Sequence, residues 1–100
     1  MKYKIWVTEE AKEEIIAAKL WYEKQQPGLG LDFISAIKYH INSLKTDVAE
    51  HKPVYDNIRR ILVKRFPYVI YYSRDAKERT VKVYAVLHDK QDRRSLRERL

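Results

Sequence analysis

Between Ile58 and Tyr72 four cations, Arg59, Arg60, Lys64 and Arg65, are threaded through β-branched and aromatic residues. Such side chains hold phosphate or carboxylate, arginine as a planar fork and lysine as a compact charge. Pro67 interrupts the stretch once and divides it into two neighbouring strands. On regular strands successive side chains point to opposite faces, so Arg59 and Arg60 diverge. One face can close a core while the other offers fixed positive charge. The expected guest is rich in phosphate or carboxylate, and Arg59, Arg65, Tyr72, Tyr84, Arg93 and Arg94 are the candidate contacts to such a partner.

Charge is distributed unevenly along the chain. Residues 1–50 carry seven lysines, no arginine and eight carboxylates, a balance of −1. Residues 51–100 carry fourteen lysines and arginines and six carboxylates, a balance of +8, and every arginine of the chain lies there. This asymmetry fixes the sign of the partner and not its identity.

The 100 residues fit one domain with a single core, too small for a separate catalytic lobe. With zero cysteines, a disulfide scaffold and a thiolate metal site are excluded, and no cofactor or metal motif stands out. No apolar run approaches membrane-spanning length, and the opening residues lack the apolar centre of a signal peptide. The expected location is the cytoplasm, with no membrane partner.

These cations need elements to position them. Tyr3, Ile5 and Val7 alternate with Lys4 and Trp6, which predicts a first strand. Thr8 can cap a following helix, with Glu9 and Glu10 in its first turn, where the helix dipole favours carboxylates. Ala11, Ile15, Ala18 and Tyr22 mark one buried stripe, with Trp21 beside it packing the same hairpin. The first helix should stop near Gln26. Pro27-Gly28-Leu29-Gly30 then reverses the chain, and Phe33, Ile37, Ile41 and Leu44 form the stripe of a second helix, giving a helical hairpin over residues 9–46.

After a polar connection through Pro53 come the strand pair described above and a last strand in which Val81, Val83, Ala85 and Leu87 alternate with Lys82, Tyr84, Val86 and His88. The charged run Arg74–Arg79 is the turn between the last two strands. The predicted class is α+β: an antiparallel helical hairpin on a small, mainly antiparallel sheet, in the order β-α-α-β-β-β. Ile15, Phe33, Ile37, Ile61, Val63, Val83 and Leu87 should form one core. Arg60, Lys64, Tyr84 and His88 should share the opposite, open face. Residues 89–100 form a basic tail that can close into a short helix. One of Arg59 and Arg60 should pair with a helix carboxylate, Glu13, Glu14 or Glu23.

Several separated blocks carry a family resemblance: Trp21-Tyr22-Glu23 leading into Gln26-Pro27-Gly28-Leu29-Gly30 and Phe33; Tyr55 with Ile58-Arg59-Arg60-Ile61; Lys64-Arg65-Phe66-Pro67-Tyr68 with Ile70-Tyr71-Tyr72; and Ala85-Val86-Leu87-His88. Taken in order, they resemble the RelE/ParE superfamily of toxins from bacterial type II toxin–antitoxin modules. The likeness is to the ParE-like, plasmid-stabilisation branch, and it spans roughly residues 3–92. The fold of that superfamily agrees with the element order read from periodicity.

The resemblance implies a growth-inhibiting toxin with one of two modes of action. ParE-like members inhibit DNA gyrase. RelE-like members cut messenger RNA on the ribosome without a metal, which requires a base for the ribose 2′-OH, a cation for the crowded phosphorane and an acid for the departing oxygen. In that second case Arg60 and Lys64 would hold the phosphate, His88 would exchange the proton, and Tyr72 or Tyr84 would stack on a base. The chain departs from the nuclease pattern at two positions: Tyr68 is followed by Val69 and not by arginine, and Arg60 is followed two residues later by Leu62 and not by a cation. Those departures favour the gyrase-directed branch. A toxin-like domain that has lost its activity and persists as a binding module is a third expectation. In each case the resemblance implies a cognate antitoxin whose acidic segment folds on binding. The antitoxin would carry the DNA-binding part, and DNA would be met only through it.

Overall fold

The computed structural model describes residues 2–46, 53–91 and 94–99. Its elements are β1 (Lys4–Val7), α1 (Glu9–Gln25), α2 (Leu29–Ser43), β2 (Pro53–Tyr55), β3 (Ile58–Leu62), β4 (Tyr68–Asp75), β5 (Thr80–His88) and α3 (Ser95–Glu98). The strands form one sheet in the order β1-β5-β4-β3-β2, antiparallel except for the parallel pair β1–β5. The α+β class and the helical hairpin on a small sheet are as the periodicity predicts. The connection through Pro53 adds an element to that expectation, the short strand β2. Proline is tolerated there because β2 is an edge strand with one unpaired side.

Local chemistry explains the hairpin. Thr8 caps α1, its hydroxyl oxygen accepting the Ala11 N–H at 3.1 Å. At the reversal Gly28 adopts φ 89°, a left-handed conformation that glycine reaches without a Cβ penalty. Glu23 then ties the turn together: its carboxylate accepts the N–H of Gly28 at 3.0 Å and of Gly30 at 3.0 Å, two of the free donors at the start of α2. These two bonds hold the Glu23 carboxyl below the ordinary glutamate range. Gly30 is there for space. A Cβ at that position would stand 2.8 Å from the Lys19 carbonyl oxygen, so the two helices approach closely only with glycine there.

The hairpin covers one face of the sheet. Phe33, fully buried, sits among Tyr22, Phe66 and Tyr68, with ring centroids 5.1 to 5.3 Å from it. Ile37, Leu44, Ile61, Val63, Ile70, Tyr72, Val81, Val83 and Val86 belong to the same core, with Tyr3, Ala11 and Ala18 completing it. Trp21 departs from the expectation: its side chain is largely exposed on α1, touching Tyr22 edge-on.

The other face of the sheet is the larger correction. It carries a second buried cluster of Ile58, Val69, Tyr71, Ala85, Leu87 and Leu96. Leu87, expected in the helix-side core, belongs to this cluster. The cause is a β-bulge. Tyr71 pairs with Ala85 and Tyr72 with Val83, so Tyr84 has no partner on β4. One extra residue reverses the alternation beyond it, turning Ala85 and Leu87 away from the helices and Val86 toward them. Leu96 on α3 closes the second cluster from the C-terminal side.

Candidate functional site

The cationic strand is β3, held between β2 and β4. Its register sets Arg59 opposite Tyr72, Arg60 opposite Tyr71, Ile61 opposite Ile70 and Leu62 opposite Val69. Arg59 therefore shares the helix-bearing side with Ile61, half-buried near the Tyr72 hydroxyl. Burial raises the Tyr72 pKa, and the charges of Arg59 and Arg74 pull it back down. Arg60 is exposed on the opposite side, beside the exposed Leu62.

Tyr72 is 1% exposed, which removes it as a stacking platform or partner contact. Its ring fills the helix-side core. Tyr84 is placed differently. As the bulged residue it stays half-buried on the side away from the hairpin, with the Lys82 ammonium 5.0 Å from its ring centre and its hydroxyl accepting from Ser73 Oγ at 3.3 Å. Ser73, Lys82 and Tyr84 line part of an open polar groove of about 420 Å³ that also reaches Asn57 and Asp75.

Lys64 and Arg65 follow β3 in the tight turn closed by Val63 N–H on the Tyr68 carbonyl at 2.9 Å. Both side chains are exposed. The Lys64 backbone N–H donates to Nε2 of the buried His40 at 3.2 Å, so α2 fixes where this turn sits. Arg65 has φ 76°, a left-handed conformation, and its guanidinium reaches Asp32 at 3.4 Å. With both partners more than half exposed, that ion pair is worth on the order of 0 to 1 kcal/mol.

His88 is the second correction from the bulge. It pairs with Tyr68 at the end of β5 on the helix-bearing side, with ring centroids 5.4 Å apart, and so stands on the face opposite Arg60. Its Nδ1 accepts the Lys90 N–H at 3.1 Å, and Asp89 Oδ1 lies 3.1 Å from the same nitrogen. The imidazole thus braces the turn leaving β5. Arg60, Lys64 and His88 are not assembled as one acid–base and phosphate-binding group on a single face. Arg94 is exposed at the start of α3, and Arg93 lies outside the described residues. Among the described residues no group of three or more histidine, aspartate or glutamate side chains could hold a metal ion, and no helix is long and apolar enough to cross a membrane.

Two side chains, His40 and Arg99, escape sequence reasoning, while Glu14, one of three carboxylates expected to pair with Arg59 or Arg60, is bound by Arg99. His40 carries no motif. Arg99 and Glu14 lie 85 residues apart in sequence and form a bidentate ion pair at 2.8 and 3.1 Å. That bond with Glu14, outweighing the cost of burial, raises the Arg99 pKa further above its already high ordinary value. Glu14 also accepts the Val86 N–H at 3.0 Å, and Glu23 is committed to the hairpin turn.

The family model described as the ParE toxin of the type II toxin-antitoxin system, parDE, matches residues 5–93. The chain belongs to the ParE toxin family. Among solved structures, this ParE-family chain is similar to one from a chromosomal ParDE TA system from P. aeruginosa. The two are 13% identical with a TM-score of 0.75, over 87% of this chain and 96% of that one. At that identity the likeness speaks for the fold. No curated protein matches the sequence.

Proposed function

We propose that this ParE-family chain is a cytoplasmic, growth-inhibiting toxin that binds DNA gyrase and carries out no RNA chemistry, and that a cognate antitoxin silences it. One observation carries the choice of target: Arg60 and His88, the pair that RNA cleavage would need at one phosphate, stand on opposite sides of the sheet. Proton transfer requires donor and acceptor within hydrogen-bond reach of the same reacting group, and a sheet between them prevents it. Membership of the ParE family points the same way.

The antitoxin is expected to bring an acidic segment. Lys64 and Arg65 are exposed on the turn after β3, Arg60 is exposed on β3 and Lys82 on β5. A carboxylate-rich chain would gain charge-assisted contacts with them, and exposed Leu62 would supply an apolar anchor beside Arg60.

The test is a supercoiling assay with purified toxin and gyrase, run beside a primer-extension map of ribosome-bound message. Loss of supercoiling with intact message is the expected result. Codon-biased cuts in the message with unimpaired supercoiling would establish the nuclease instead. Growth without arrest on induction, with neither effect in vitro, would mark an inactive binding module.

A further inference from the structure

Half of β5 is an open sheet edge. β1 reaches only as far as Val7, opposite Val83, and Thr8 N–H closes that ladder on the Val83 carbonyl at 3.0 Å. From Tyr84 to His88 side chains take the place of a neighbouring strand. The Tyr84 carbonyl accepts from Arg99 Nη1 at 3.0 Å and from the Thr8 hydroxyl at 3.3 Å. The Val86 N–H donates to Glu14 Oε1 at 3.0 Å, and the His88 N–H donates to Gln91 Oε1 at 2.6 Å. Arg99 also reaches Glu10 at 3.3 Å.

The ion pair therefore presents a donor to a strand carbonyl and an acceptor to a strand N–H, which is what an adjacent strand would present. Its position is secured from two sides. The Arg99 side chain is only 14% exposed, and Leu96, one turn earlier, is 2% exposed in the second core cluster.

We propose that the C-terminal segment through Arg99 is an edge guard that denies residues 84–88 of β5 to a second copy of this chain. The outward-facing backbone groups identify that occupant. They recur at Tyr84, Val86 and His88, the period of a strand. Two such edges placed antiparallel about a two-fold axis at Val86 match themselves. Val86 of each copy would exchange both of its backbone hydrogen bonds with Val86 of the other, and each Tyr84 carbonyl would meet the other copy's His88 N–H. Ala85, Val86 and Leu87 are buried and apolar, so the stretch has the composition of a strand that pairs readily once uncovered.

The experiment compares the full-length chain with its Glu14→Ala/Arg99→Ala variant by sedimentation across a concentration series, with amide exchange read at Val86 and His88. The parent chain is expected to stay monomeric with a protected Val86 amide. The variant should associate as concentration rises. Its Val86 amide should exchange roughly tenfold faster than the parent's when dilute and regain protection when associated. A variant that remains monomeric throughout overturns the proposal. So does one that associates while Val86 still exchanges fast, because the contact then lies elsewhere. A parent chain that already pairs through this edge overturns it as well. If the double variant does not fold, Arg99→Gln, which keeps part of the stem and a donor but loses the charge and the fork, is judged on the same readings.

Discussion

Tyr68 and His88 face each other across β4 and β5 on the helix-bearing side of the sheet, their ring centroids 5.4 Å apart. This pairing follows from the unpartnered Tyr84 four residues earlier and sets His88 on the side of the sheet away from Arg60. A residue whose identity suggests proton transfer is thereby turned to bracing a strand end.

His88→Ala should therefore leave the proposed gyrase inhibition and growth arrest within about twofold of the parent chain. It should cost about 1 kcal/mol of stability for the lost bond from the Lys90 N–H and the ring contact. Urea denaturation and a plating assay measure the two effects separately. Abolished toxicity with unchanged stability would contradict this placement.

Gly30→Ala offers a test by sign. In an ordinary helix interior the change from glycine to alanine stabilises by about 1 kcal/mol. Here the new methyl group would collide with the Lys19 carbonyl oxygen and the Glu23 side chain, so a loss of about 1 to 3 kcal/mol is expected. A rise in Tm on this substitution would show that the helices are not in close contact at that point.

Glu23 gives a pH dependence. Its folded pKa lies below its unfolded one, so its stabilising contribution is complete above the ordinary glutamate range and disappears as pH falls through the folded value. The Tm advantage of the parent chain over Glu23→Gln should be largest near neutral pH and shrink on acidification below that range. A difference that stays constant or grows in acid would exclude the two N–H bonds as its source.

Phe33→Ala removes the ring at the centre of the aromatic cluster. A fully buried phenylalanine truncated to alanine costs about 3 to 5 kcal/mol, a large share of the total for a domain of this size. Chemical denaturation should show the midpoint falling sharply. A loss under 1 kcal/mol would mean that Tyr22, Phe66 and Tyr68 can collapse into the space.

The hairpin, the succession of the longer elements along the chain and most of the helix-side core were legible in the sequence because they rest on local signals: Thr8 before paired glutamates, glycines confined to one reversal, stripes of period near four. Three features were not. The bulge at Tyr84 carries no glycine or other local mark, so simple alternation put Leu87 and His88 on the wrong faces. Burial of Tyr72 follows the regular alternation of β4 with Ile70, but aromatic side chains suit a core and a binding surface equally well, so its type left both readings open. The Glu14–Arg99 contact joins a helix to the far end of the chain, a distance over which single-sequence periodicity has no reach.

The parallel pairing of β1 with β5 bears on how the toxin is made. β1 leaves the ribosome well before β5, the strand it joins, and Arg99 must follow before Glu14 finds its partner. A nascent chain halted before Thr80 contains the residues of both hairpin helices but lacks β5, so the sheet that buries their apolar face is incomplete. Any activity that needs the assembled sheet is therefore deferred until β5 has been translated.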